Sequence, residues 1–276
     1  MDNRSIGIFD SGMGGLTAFK HLQKLAPNEN IVFFGDTARV PYGTRTPDTI
    51  TRYALEDISF LLSHDVKLVI AACGTVSSTL SSRFTDKMPV PFIGVINPTA
   101  KAAINTTKNG KVGILGTPAT IKSQAFDREI KRMMPEAVTV AKACPMFVPL
   151  VENGYFGRDC AITIAIAREY LEPLMAADVD TIILGCTHYP IIRDVISDIV
   201  GDKVSLIDSG FETARYALSL LDSKNMRNTS GGDCLIFTSD NPDGFSSNAE
   251  IYLGYPLADG AKKADLQITA IADCFK

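Results

Sequence analysis

The sequence predicts an α/β protein of two similar domains with mainly parallel sheets flanked by helices, related by a pseudo-twofold axis, with its active site in the interdomain cleft. Short β-branched runs alternate with helix-length amphipathic segments, as in parallel sheets packed between helices. That alternation repeats once along the chain, and a cysteine takes the same place in each copy.

In chain order the runs are SIGIF before DSGMGG, NIVFF before GDT, KLVIA before ACGT and PFIGV before INPT. KVGIL before GTPAT, TVAKA before CPMF, TIILG before CTHYP and VSLID before SGFE follow. Each ends on glycine or small polar residues, where a strand gives way to a turn. Ser5–Ser11 aligns with Lys111–Thr117, and Cys73 and Cys186 each stand eight residues after an aspartate, Asp65 or Asp178. The repeat places the domain break near Asn97-Pro98, where the fourth strand is expected to end. The helix-like FETARYALSLLDS is expected to cross back near Asp208. The first domain is therefore 1–97 plus 208–276, and the second 98–207.

With 276 residues, 46% hydrophobic and 21% charged, the chain has ordinary globular composition. A net charge of −4 makes nucleic acid a poor partner and offers nothing to anionic lipid. Met1 to Ser5 is polar and the apolar run after it breaks at Asp10, well short of a signal peptide core, and no apolar stretch approaches the ~18 residues that span a membrane. Cysteines at 73, 144, 160, 186, 234 and 274 form no CxxC pair. The expectation is a cytoplasmic protein with free thiols and neither zinc nor disulfides.

Ligands of open parallel sheets bind beyond the carboxyl ends of the strands, where Cys73 and Cys186 both fall. A helix start there favours thiolate over thiol. One such cysteine reads as a small buried hydrophobe; two at equivalent positions read as an acid and a base on opposite sides of one carbon, the requirement of stereoinversion. Cys144, Cys160, Cys234 and Cys274 lack the context and read as structural. Asp10 beside Cys73, and His188 and Glu152 beside Cys186, could hold or pass the protons. Their ordinary readings are a helix cap, a packed ring and a solvated loop carboxylate. DSGMGG lacks the dinucleotide spacing and no Walker lysine follows, so its N–H groups suit a small anionic substrate better than a nucleotide. Pro41-Tyr42-Gly43 forms a turn from which Tyr42 could donate its hydroxyl. A Cys186–His188 thiol hydrolase would leave Cys73 unexplained; a non-catalytic amino-acid-binding protein, its cleft closing on the ligand without exchange of the α-proton, is the third reading.

IGIFDSGMGGLTAF, DTARVPYGTR, ACGTVSS, VPLVENG, ILGCTHYP, IDSG and the closing FTSDNPDGF occur in this order. End to end the chain resembles the glutamate racemases of the aspartate/glutamate racemase superfamily. The resemblance implies cofactor-independent interconversion of L- and D-glutamate, supplying D-glutamate for peptidoglycan. Aspartate or another amino acid is the alternative substrate. It implies Cys73 and Cys186 as the two bases, supported by Asp10, Glu152 and His188. Substrate contacts are implied for Asp10, Ser11, Pro41, Tyr42, Gly43, Gly74, Thr75 and Thr187. It also implies no metal or pyridoxal phosphate, and a homodimer. Because the first strand starts almost at once, activation by a peptidoglycan precursor through an N-terminal extension is not expected. Gly74 departs from the asparagine usual after the first cysteine. Losing such an amide costs on the order of 1.5 to 3 kcal/mol unless a neighbour such as Ser77 replaces it.

Overall fold

The computed structural model describes residues 2–264 and Leu266; Cys274 lies outside them. The strands are β1 (Ser5–Asp10), β2 (Ile31–Gly35), β3 (Val66–Ala71), β4 (Phe92–Gly94), β5 (Lys111–Gly116), β6 (Val138–Ala143), β7 (Thr181–Leu184), β8 (Ser205–Asp208), β9 (Cys234–Thr238) and β10 (Lys262–Lys263). They make two parallel sheets, ordered β10-β9-β2-β1-β3-β4 and β6-β5-β7-β8. The order β2-β1-β3-β4 of the first sheet recurs as β6-β5-β7-β8 in the second. The duplication visible in the sequence is thus a duplication of topology. The aspartates that begin each cysteine frame also match: Asp65 (φ 50°) and Asp178 (φ 59°) are both left-handed. Aspartate tolerates that conformation better than most side chains, which suits it to turn the chain into β3 and β7.

Alternate residues of the central strands enter opposite apolar layers. Ile6, Ile8, Phe33, Leu68 and Ile70 pack on one side of the first sheet. Phe9, Phe34, Val69 and Ala71 pack on the other, against Ile50, Ile58 and Leu61 of the helix Pro47–Leu62. Burial on both faces is why these strands read as continuous apolar runs rather than alternating ones. Fully burying one such side chain contributes roughly 1.5 to 3 kcal/mol, so these layers dominate the stability of the lobe. One polar residue interrupts the pattern. Lys67 in β3 is fully buried, bonded through Nζ to Glu29 (2.6 Å) and to the carbonyls of Asp2 and Met226 (2.7 Å each). It thereby anchors the segment that leads into β9.

Two details differ from the sequence reading. The fourth strand ends at Gly94, and Asn97-Pro98 lies in the first turn of the helix Ile96–Thr106, where proline's missing N–H costs nothing. β9 and β10 extend the first sheet beyond β2, with Ile31 opposite Cys234 and Phe34 opposite Phe237. They have no counterpart in the repeat, so the pattern that revealed the other strands was silent about them. No helix among the described residues is long and apolar enough to cross a membrane.

Candidate active site

The carboxyl ends of the two sheets meet across a cavity of about 200 Å³. Ser11, Pro41, Tyr42, Gly43, Cys73, Gly74 and Thr75 line it from the first lobe, and Glu152, Cys186, Thr187 and His188 from the second. Asp10 lies beneath it, fully buried at the end of β1. Sequence positions far apart, most of them on the segments that follow strand ends, are therefore gathered at one point.

Cys73 follows β3 and caps the helix Gly74–Thr79. It is 5% exposed, and its Sγ donates to Ser11 Oγ at 3.4 Å. Burial first, then the charge of Asp10, pushes the thiol up to about 12, so it holds its proton. Asp10 accepts from the Gly12 N–H (3.0 Å) and from Thr187 Oγ1 (3.5 Å). Its carboxyl is raised by burial, partly offset by His188.

Cys186 follows β7 and is 7% exposed. The helix expected to begin directly after it starts later. Thr187 and His188 intervene before a short 3-10 turn, Tyr189–Ile192, and a helix proper runs from Arg193. That offset turns the His188 ring back to the thiol, with Nδ1 at 3.9 Å from Cys186 Sγ and Nε2 at 3.1 Å from Glu152 Oε1. Glu152 is the last residue of the helix Phe147–Glu152 rather than a loop residue, and half-exposed; Tyr252 closes the ring's flank edge-on at 5.6 Å. Burial pulls the imidazole down, but its hydrogen bonds with Cys186 and Glu152 more than reverse this and push it up to about 10. Below pH 6.5, its ordinary value, such a group contributes its full stabilisation, which is lost as pH rises through about 10. The stability gap between the protein and a His188→Gln variant, measured by denaturant unfolding at a series of pH values, should therefore be widest below 6.5 and closed above 10. A gap independent of pH would show that His188 carries no proton in the fold.

The glycines of DSGMGG also let the two lobes approach closely. A Cβ on Gly14 would lie 2.2 Å from Thr187 Oγ1 and 2.6 Å from His188 Nδ1, and one on Gly15 2.6 Å from Asp10 Cβ. The second lobe's CTH segment thus rests directly on the backbone of the first. Across the cleft, a Cβ on Gly74 would fall 2.4 Å from the Gly185 carbonyl oxygen. The residue after one thiol touches the residue before the other, so small residues there let the two thiol-bearing turns meet.

Two further expectations change. The Tyr42 hydroxyl is not free for a ligand, being held by Asp36 and by Asp57 at 3.1 Å. Ser77 cannot stand in for a side chain at Gly74, since its Oγ donates to the Ala71 carbonyl and accepts from the Val95 N–H, both at 3.1 Å. Thr117, Pro118, Cys144 and Val148 also line the cavity, although Cys144 reads as structural in the sequence. Thr117 Oγ1 lies 3.1 Å from Thr75 Oγ1, joining the lobes by their side chains. Both Thr117 and Cys144 directly follow strands, the signal that could have found them. Among the described residues no cluster of side chains could hold a metal ion.

Residues 15–217 match the Asp/Glu/hydantoin racemase family. The chain is 46% identical to a glutamate racemase of Geobacter metallireducens over 258 residues, 93% of this chain and 95% of that one. The chain belongs to the Asp/Glu/hydantoin racemase family. It is an amino-acid racemase, hence an isomerase. Among solved structures, a glutamate racemase of Bacillus anthracis superposes with a TM-score of 0.91 at 33% identity, covering 96% of this chain and 99% of that one. The enzyme of Francisella tularensis in complex with D-glutamate gives 0.89 at 35% identity, with the same coverage.

Proposed function

We propose that this racemase interconverts L- and D-glutamate by two-base proton transfer at the α-carbon, with no cofactor, and supplies D-glutamate for peptidoglycan. The observation that carries the reading is the pair of thiols: each is set at the strand end of one repeat, and both line one cavity. Their surroundings are unlike. Cys186 lies beside an imidazole that favours the protonated form, a counter-ion for thiolate, while Cys73 keeps its proton. In one direction the Cys186 thiolate takes the α-proton and becomes a thiol. The electron pair stays on the α-carbon and its carboxylate, and the Cys73 thiol protonates the opposite face to become a thiolate. The reverse reaction exchanges the roles, with Asp10 and the His188–Glu152 pair adjusting the charge at each end. The likeness to glutamate racemases over nearly the whole chain favours glutamate over aspartate.

Proton NMR of either glutamate enantiomer with the enzyme in deuterated water, with no cofactor added, tests this. The expected result is loss of the α-proton signal together with inversion, and slower turnover of aspartate. An α-proton that persists while glutamate is bound would refute the reaction.

A further inference from the structure

Behind the Pro41–Gly43 rim of the cavity lies a buried cluster of ionisable groups that the proton transfer does not use. Asp36 and Asp57 are fully buried, and the Tyr42 hydroxyl sits between their carboxyl groups. Arg39 reaches Asp36 at 2.5 Å, Asp57 at 2.8 Å and Glu56, with its guanidinium 4.3 Å from the Tyr53 ring centroid. Three carboxyl groups thus share one cation and one phenol. Burial, then the charge of Asp36, raises the Asp57 carboxyl well above the ordinary range, so the cluster relieves its excess charge by keeping a proton there.

The cluster is closed from a distant part of the chain. Ser239, directly after β9, donates through Oγ to Asp36 Oδ1 (2.8 Å) and accepts from the Ala38 N–H (2.9 Å). Thr238 and Thr37 join their hydroxyls at 2.6 Å. The Asp36 N–H donates to the Asp10 carbonyl at 3.0 Å, tying the same loop to the strand end beside Cys73. The whole path from Asp10 through Asp36 and Tyr42 to the cavity rim is therefore held by side chains contributed by the helix Pro47–Leu62 and by the strand that the repeat lacks.

We propose that Asp57, Arg39 and Ser239 are positioning residues for the racemase: by clamping the Tyr42 hydroxyl and the 36–39 loop they hold the Pro41–Gly43 rim where it meets the substrate. The proposal rests on the reading of this cleft as the substrate site. A rim that wanders weakens binding in the ground and transition states alike and leaves the thiols in place. Its loss therefore shows in KM rather than kcat.

Steady-state kinetics on glutamate with Asp57→Ala, Asp57→Asn and Ser239→Ala, each with its melting temperature, test the clamp. Asp57→Ala should raise KM about tenfold with kcat within about threefold of the parent. Asp57→Asn keeps the shape and the neutral state and should restore most of the loss. Ser239→Ala, the mildest change, should raise KM about threefold and decides the matter if Asp57→Ala does not fold. A purely structural cluster would lower melting temperature and active fraction without moving KM. Unchanged KM in folded variants overturns the clamp while leaving the racemase intact. A parent enzyme that exchanges no α-proton removes the functional reading and the clamp with it.

Discussion

A Cys73→Ser variant should racemise glutamate about 10³-fold more slowly than the parent, within the range by which a positioned acid or base accelerates proton transfer. Burial and Asp10 push the Cys73 thiol up to about 12. A serine hydroxyl in the same surroundings would be harder still to ionise. Polarimetry in both directions measures the loss. Isotope exchange tells more, because the variant still holds Cys186 beside His188. That thiolate should lift the α-proton of one enantiomer and return deuterium to the same face. One enantiomer would then exchange without inverting and the other would not exchange. Cys186→Ser should show the opposite preference. A thiol hydrolase built on Cys186 and His188 would be indifferent to Cys73→Ser, so turnover within tenfold of the parent would end the two-base account.

Gly74→Ala should lower kcat/KM about 100-fold, since a misplacement of about 1 Å can cost that much in rate. Two effects oppose each other at this residue. Gly74 is the first residue of the helix Gly74–Thr79, where alanine is worth up to about 1 kcal/mol more than glycine in local stability. Its Cβ would nevertheless stand 2.4 Å from the Gly185 carbonyl, which is backbone and can yield only if the lobes part. The expected result is a wider cleft together with the loss of rate, read by small-angle scattering and kinetics, with the helix gain offsetting part of the cost in melting temperature. Gly14→Ala presses on Thr187 and His188 and should act likewise. Parent-like kcat/KM in Gly74→Ala would mean that the lobes do not need this approach.

The central strands β1, β2, β3, β5 and β7 were legible because burial on both faces makes them apolar runs with small turns after them. The two cysteines stood out because repetition gave each the same frame, down to the left-handed aspartates Asp65 and Asp178. β9 was harder to see, because its pattern has no second copy and its pairing with β2 spans some two hundred residues of chain. The Tyr42 hydroxyl was misread for a related reason. Nothing local to PYG announces that Asp36 and Asp57 will enclose it.

What the sequence determined by itself is the set of periodic properties: the α/β class, the duplication, the strand ends on which Cys73, Cys186 and Asp10 stand, and the membership of the racemase family. What only the tertiary structure decided is how the lobes touch: Gly14 beneath His188, Gly74 against Gly185, and the Arg39 cluster under the cavity rim. The reason is physical. Hydrophobic period and turn chemistry act between near neighbours in the chain and leave a local signature. Steric clearance and the sharing of buried charge act between segments that meet only once the two sheets have packed.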